Sequence, residues 1–239
     1  MPLPKISTPT YELEIPSTGK KIKYRPFLVK EEKILIIAME SEDNKQIANA
    51  VKDVISGCIL TRGVKVEQLS TFDIEYIFLN IRGKSVGEDV EVLITCPDDN
   101  TTQVPTLINL DEIKVQTSKD HKKDIDLGDD LILRMKYPSM SEFIKSNFTT
   151  TESLGVDDTF DLISSCIDQV YNEEESWNAS DCTKKELREF LEQLSSRQFK
   201  EIETFFDTMP KLSHKIKVKN PNTGVQSEVV LEGLTSFFG

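Results

Sequence analysis

Basic charge, histidine, paired cysteine and long apolar runs are what this chain has least of. Against 41 Asp and Glu it carries 29 Lys and Arg, a formal net charge of −12 over 239 residues. A surface that acidic repels a phosphate backbone, so no nucleic acid is expected as a partner outside a local basic patch. The longest such patch, residues 18–25 (TGKKIKYR), lies on an alternating pattern and is read as a strand face. No apolar stretch is long enough to cross a bilayer as a helix, so no membrane partner is expected either. The opening MPLPKISTPT lacks the apolar core of a signal peptide, which makes a cytosol the expected starting compartment.

The four cysteines, Cys58, Cys96, Cys166 and Cys182, form no close pair. That leaves neither a disulfide framework nor a Cys-x-x-Cys metal motif, and free thiols packed as small hydrophobes are expected. Of the two histidines, His121 sits in a charged stretch and His214 opens a strand; neither has the spaced partners of a metal site or a triad, and both read as solvated. GKS at residues 83–85 has no glycine at the spacing a phosphate-binding loop requires, and a helical pattern precedes it. The acidic pairs Asp98–Asp99, Asp129–Asp130 and Asp157–Asp158 do not follow the alternating ligand order of a calcium loop and suit turns and caps. No metal, cofactor or catalytic residue is expected.

What is present is a set of strand-like and helix-like runs, kept apart from each other. Residues 10–27 (TYELEIPSTGKKIKYRPF) read as a hairpin: Tyr11, Leu13 and Ile15 alternate with polar neighbours, PSTG turns, and Ile22 and Tyr24 alternate on the return. Three helices follow. The first carries Leu28, Ile34, Leu35, Ile37 and Ala38 at helical spacing, and the second Ile47, Ala50, Val51, Val54, Ile55 and Cys58. The third opens at Ser70 or Thr71, has Asp73 and Glu75 near its positive end, a stripe of Ile74, Ile77, Phe78 and Ile81, and Gly83 as its C-cap. Strand patterns return at residues 88–96, 101–110 and 131–138, with a polar stretch at 116–130 between them. A second helical region begins at SMSEFIKSNF (139–148) and continues through residues 156–172, where Phe160, Ile163, Ile167, Val170 and Tyr171 share a helical face. The run 183–209 opens on the capping-box pair Thr183 and Glu186 and buries Leu187, Phe190, Leu191, Leu194, Phe199, Ile202 and Phe206. The chain closes on another hairpin, HKIKVKN–PNTG–VQSEVVLEGL.

The expected class is therefore α+β: an N-terminal β-hairpin, two helical regions and two later β-hairpins. The expected segments are 1–87, a ribbon-like β insertion at 88–138, a helical region at 139–210 and a C-terminal hairpin at 211–239 packing back on one composite domain. The two later hairpins repeat one design, an alternating strand, a Pro-bearing knuckle (CPDDN and NPNTG) and a second alternating strand. Zinc ribbons place Cys-x-x-Cys in such knuckles, because four thiolates close a tetrahedral site. Two knuckles with one thiol, Cys96, lack those ligands, so hydrogen-bonded turns are expected to hold the ribbons.

The residues that stand out are candidates for contact rather than for chemistry. Arg25 (in YRPF, beside Phe27) and Arg82 (in NIRGKS) sit at element ends, where a guanidinium caps carbonyls and stacks on rings, or contacts a partner. Trp177 follows three glutamates in EEESW, within residues 151–182, which hold nine acidic residues and no Lys or Arg. That stretch reads either as a solvated loop anchored by its Trp or as an acidic partner-binding loop. Phe237 and Phe238, in the closing LEGLTSFFG, either fold back on their own chain or dock on a partner, since burying one Phe is worth roughly 1.5–3 kcal/mol.

Three of these stretches carry a resemblance. YRPFLVKEEKILIIAMES, FDIEYIFLNIRGKSVGE and the closing LEGLTSFF, in that order, resemble the baseplate hub protein family of T-even-type contractile-tailed bacteriophages, over nearly the whole chain. The resemblance implies a non-enzymatic role at the centre of the tail baseplate, in the virion, with assembly in the host bacterial cytoplasm. It implies other hub proteins as partners, with the tape-measure and spike proteins as further candidates. An assembly chaperone absent from the mature virion is the alternative, and a cell-wall hydrolase, which needs two carboxylates facing a cleft, a distant one.

Overall fold

A computed structural model describes residues 6–41, 43–140 and 156–233. The expected helix at 141–148 and the two phenylalanines Phe237 and Phe238 lie outside the described residues. Along the chain the elements are β1 (Tyr11–Glu14), β2 (Lys21–Tyr24), α1 (Val29–Glu40), α2 (Asn44–Cys58), α3 (Thr71–Val86), β3 (Asp89–Thr95), β4 (Gln103–Asn109), β5 (Lys114–Gln116), β6 (Asp124–Gly128), β7 (Leu131–Met135), α4 (Val156–Ser165), β8 (Ile167–Tyr171), β9 (Ser176–Asn178), α5 (Lys184–Glu192), α6 (Ser196–Thr208), β10 (Lys211–Lys219) and β11 (Gln226–Glu232). Every strand pairing is antiparallel, and the fold is α+β. The contacts divide the chain into two units: residues 1–66, 72–116 and 211–239 form the first, and 67–71 with 117–210 the second.

In the first unit, α3 is buried nearly all round: Phe72, Ile74, Ile77, Phe78, Leu79 and Ile81 are all inside. A helix apolar on every side belongs in a core. The helix does not stop at Gly83 as its sequence suggests. It runs on to Val86, and the left-handed glycine is Gly87 (φ 130°). Gly83 is instead a buried helical residue, where an added methyl would meet Leu110 and Glu88 at 3.9 Å, ordinary contact distance. Asp73, expected to serve the helix dipole, is fully buried, and its carboxylate accepts the N–H of Ser17 in the β1–β2 turn at 2.9 Å. The ribbon β3–β4 and the sheet β11-β10-β5 supply the rest of this core, through Val92, Ile94, Ile108, Leu212, Ile216 and Leu231.

The repeated knuckle occurs three times, once more than the sequence comparison of the hairpins found. In Ile15-Pro16-Ser17-Thr18-Gly19, Cys96-Pro97-Asp98-Asp99-Asn100 and Asn220-Pro221-Asn222-Thr223-Gly224, the fifth residue donates its N–H to the carbonyl of the first, at 2.8, 2.9 and 2.9 Å. The fifth residue is left-handed each time, with φ of 67°, 55° and 77°, which explains Gly, Asn and Gly at that position. The second and third knuckles bond to each other. The Asn220 amide donates to Asp98 (3.0 and 3.1 Å) and Asp99 (2.9 Å), the Thr223 hydroxyl to Asp98 (2.5 Å), and the Asn222 amide to the Thr102 hydroxyl (3.0 Å). A polar knot ties the two turns, with Asn220 as the donor shared by both aspartates. The Thr102 hydroxyl, the Thr102 and Thr101 N–H groups and the Asn220 amide hold the Asp99 carboxyl well below its usual range.

In the second unit, the sheet β6-β7-β8-β9 and helices α4, α5 and α6 enclose Ile125, Leu133, Met135, Ile163, Ile202 and Phe205. Two expectations change here. The charged stretch 116–130 contains β6, whose Ile125 and Leu127 alternate into the core. The amphipathic helix read through residue 172 ends at Ser165, and Ile167–Tyr171 is a strand. Its register on β7 pairs Leu133 with Val170 and Met135 with Ile167, shifting by one residue between them. That bulge puts Ile167 and Val170, three apart, on one face, a spacing that imitates a helix. The run 183–209 divides into α5 and α6 because the Ser195 hydroxyl caps a new helix, accepting the Gln198 N–H.

Candidate interaction surfaces

Arg25 is turned inward. Its guanidinium donates to the carbonyls of Pro26 (2.9 Å) and Gly57 (2.8 Å) and meets the Glu31 carboxylate at 2.9 Å. Glu31 occupies the third position of α1, is buried, and also accepts the Leu28 N–H at 2.8 Å, closing the helix start. Burial alone would raise the Glu31 carboxyl; hydrogen bonds from Arg25, the Leu28 N–H and Lys30 outweigh it and hold the group down at about 2. The Cys58 thiol beside this network is pushed up to about 11 by burial, so it stays protonated at neutral pH. Phe27 is half-buried and donates its N–H to the Ser85 hydroxyl at 2.9 Å. Arg82, on α3, is half-buried, and that burial lowers its pKa.

The helix that Arg25 and Glu31 anchor buries only part of its expected stripe: Ala38 is inside and Leu35 half-buried, while Leu28, Ile34 and Ile37 are exposed. Only Glu31 and Ala38 of α1 are buried; Ile34 and Ile37, read as core, are 43% and 55% exposed, and Val29, Ile36 and Met39 are 79%, 51% and 58% exposed. The apolar run ILIIAM occupies every direction around the helix axis, and the side facing α2 takes the small Ala38. Periodicity could not choose between faces that are both apolar.

Trp177 lies on β9, an edge strand, opposite Val170. What the sequence suggests is a loop is a hairpin. The Asn172 side chain accepts the N–H groups of Glu174 (2.9 Å) and Glu175 (2.7 Å), and the Asn172 backbone N–H donates to the Glu175 carbonyl at 2.9 Å. Trp177, 43% exposed, forms one wall of an apolar cleft of about 310 Å³, with Leu131, Val170, Leu187 and Phe190 on the others. The acid in its lining, Glu186, accepts the Thr183 N–H and hydroxyl at 2.7 Å. Leu187, Phe190 and Val170 were legible as apolar positions. The cleft was not, because it forms only when β8 and α5 come together.

A larger and more polar cleft of about 660 Å³ lies between β6 and α6. Two of its four acids have structural work: Asp124 pairs with Arg134 at 2.7 Å, and Asp126 accepts the Gly128 N–H at 2.8 Å. His121, expected in solvent, is instead packed. Its ring nitrogens lie 3.1 Å from the Thr208 hydroxyl and 3.0 Å from the Tyr137 hydroxyl, and the ring stacks on Tyr137. Burial and Lys123 lower its pKa. His214 is half-buried in β10, opposite Leu231. Among the described residues no group of three or more His, Cys, Asp or Glu is placed to hold a metal ion.

A family model described as T4 bacteriophage base plate protein matches residues 8–239. The chain belongs to this family. No curated protein and no solved structure matches it. Membership makes the molecule a structural protein of the phage tail base plate, whose neighbours are other base plate proteins. For a base plate protein, apolar side chains left in water on α1 and around Trp177 are the features to account for.

Proposed function

We propose that the protein is a component of the base plate hub and acts by binding neighbouring hub proteins, without catalysis. The Trp177 cleft carries this reading. A half-exposed indole over an apolar cleft is the usual form of an interface anchor, since Trp, Tyr and Arg dominate binding energy where a pocket can desolvate them. The apolar lining sets the partner's chemistry: a segment that inserts one or two apolar side chains beside Trp177. The network of Arg25 keeps α1 in place, and Arg82 and Phe27 support the same unit.

Quantitative mass spectrometry of purified phage particles tests the reading. The expected result is the chain at a fixed ratio to the other hub proteins, with Trp177→Ala lowering its incorporation at unchanged solubility. Absence from particles, with the chain bound to a hub protein in infected cells, would mean an assembly chaperone instead. Absence from both would end the hub reading.

A further inference from the structure

We propose that the outward face of α1 binds a second copy of this chain, the two helices packing antiparallel across a two-fold axis. Ile36 forms the centre of that face, with Ile37 and Met39 on its flanks and Val29 two turns before it; all four are more than half exposed. Single soluble domains turn such a stripe inward, and a contiguous apolar patch left in water marks a contact surface.

The charges on the same face select a second copy as the occupant. Lys33 and Glu40 lie seven residues apart on the outward stripe, and among the described residues neither has an ion-pair partner. When two copies of α1 run antiparallel with Ile36 opposite the partner's Ile37, Lys33 meets the partner's Glu40, and the symmetry makes this contact twice. A shift of one residue, Ile36 on the partner's Ile36, sets Glu32 against the partner's Glu40, a like-charge contact. Parallel packing sets Lys33 on the partner's Lys33. The surface is thus complementary to itself in this antiparallel register, the requirement for a two-fold interface. In this register the two helices overlap over residues 33–40, about 12 Å, so the contact falls at the small end of interfaces, below about 1,200 Å². It forms a weak dimer whose population depends on concentration.

Sedimentation or light scattering of the full chain reads this directly. The expected mass rises from one chain towards two as protein is concentrated from about 1 µM to about 100 µM. Ile36→Asp holds the chain monomeric throughout that range. Lys33→Glu and Glu40→Lys each weaken the dimer about tenfold, and the two together restore it, because the exchanged charges again meet across the axis. Circular dichroism melts of each variant establish that the fold is retained. A single-chain mass at every concentration, a dimer that survives Ile36→Asp in a folded protein, or a double exchange that fails to restore association would overturn the proposal. None of these outcomes bears on the hub reading, which rests on Trp177.

Discussion

Glu31 is the residue at which helix start, hairpin and α2 meet. It takes a hydrogen bond from its own helix start and an ion pair from Arg25, which in turn caps the end of α2 at Gly57. Removing one partner of a buried ion pair strands the other, at a cost of about 3–5 kcal/mol. Arg25→Ala is therefore expected to destabilise the chain by that order, measured by urea unfolding. The pH dependence follows from the sign of the shift. A carboxyl held at about 2 in the fold, against an ordinary 4.5, contributes stability in full above about pH 4.5 and loses it as the pH falls towards 2. The stability gap between the native chain and Glu31→Gln should close across that window, as seen in thermal melts. Gly83 makes the opposite case. It is helical, buried, and has room for a methyl group, so Gly83→Ala is expected to stabilise by about 0.4–1 kcal/mol, raising the melting temperature.

At the scale of elements, the knuckles were half legible. Proline at the second position and a small polar run show in the sequence, and so does the shortage of thiols for zinc. That the second and third turns bond to each other was not legible, because Asp98 and Asn220 are 122 residues apart. Asn220 is buried and is the donor shared by both aspartates. Asn220→Ala leaves two neighbouring carboxylates without it, and a loss of about 1–3 kcal/mol is expected, with the β3–β4 and β10–β11 ribbons exchanging amide hydrogens faster. Boundaries failed where a tertiary partner redirected the chain. β8 reads as helix because a bulge spaces its buried residues by three, and the stripe of α1 is too wide in the sequence because Ile34 and Ile37, apolar like Ala38, stay in water.

At the scale of the molecule, the chain leaves the first unit after Gln116 and returns at Lys211, and these two residues are partners in the β5–β10 ladder. Their ends are therefore close enough for a two-residue turn of the Asn-Gly kind to join them. Replacing residues 117–210 by Asn-Gly is expected to leave a first unit that unfolds cooperatively, with dispersed amide resonances. A collapsed product without cooperative unfolding would show that the first unit depends on the second. The excised unit owns the Trp177 cleft and the first unit owns α1, so the two contact surfaces separate with the cut.

Local chemistry determined much from the sequence alone. The alternation of Leu13 with Ile22, the capping pair Thr183 and Glu186, the prolines of the knuckles and the −12 charge each act within a few residues or over the whole composition, and need no fold to be read. Family membership, too, was legible as a resemblance. Tertiary structure alone decided which apolar faces stay in water, that His121 is packed and Arg25 internal, and that Asp98 meets Asn220. Those outcomes depend on which distant segment comes to lie opposite, and burial is a property of the pair, never of one residue.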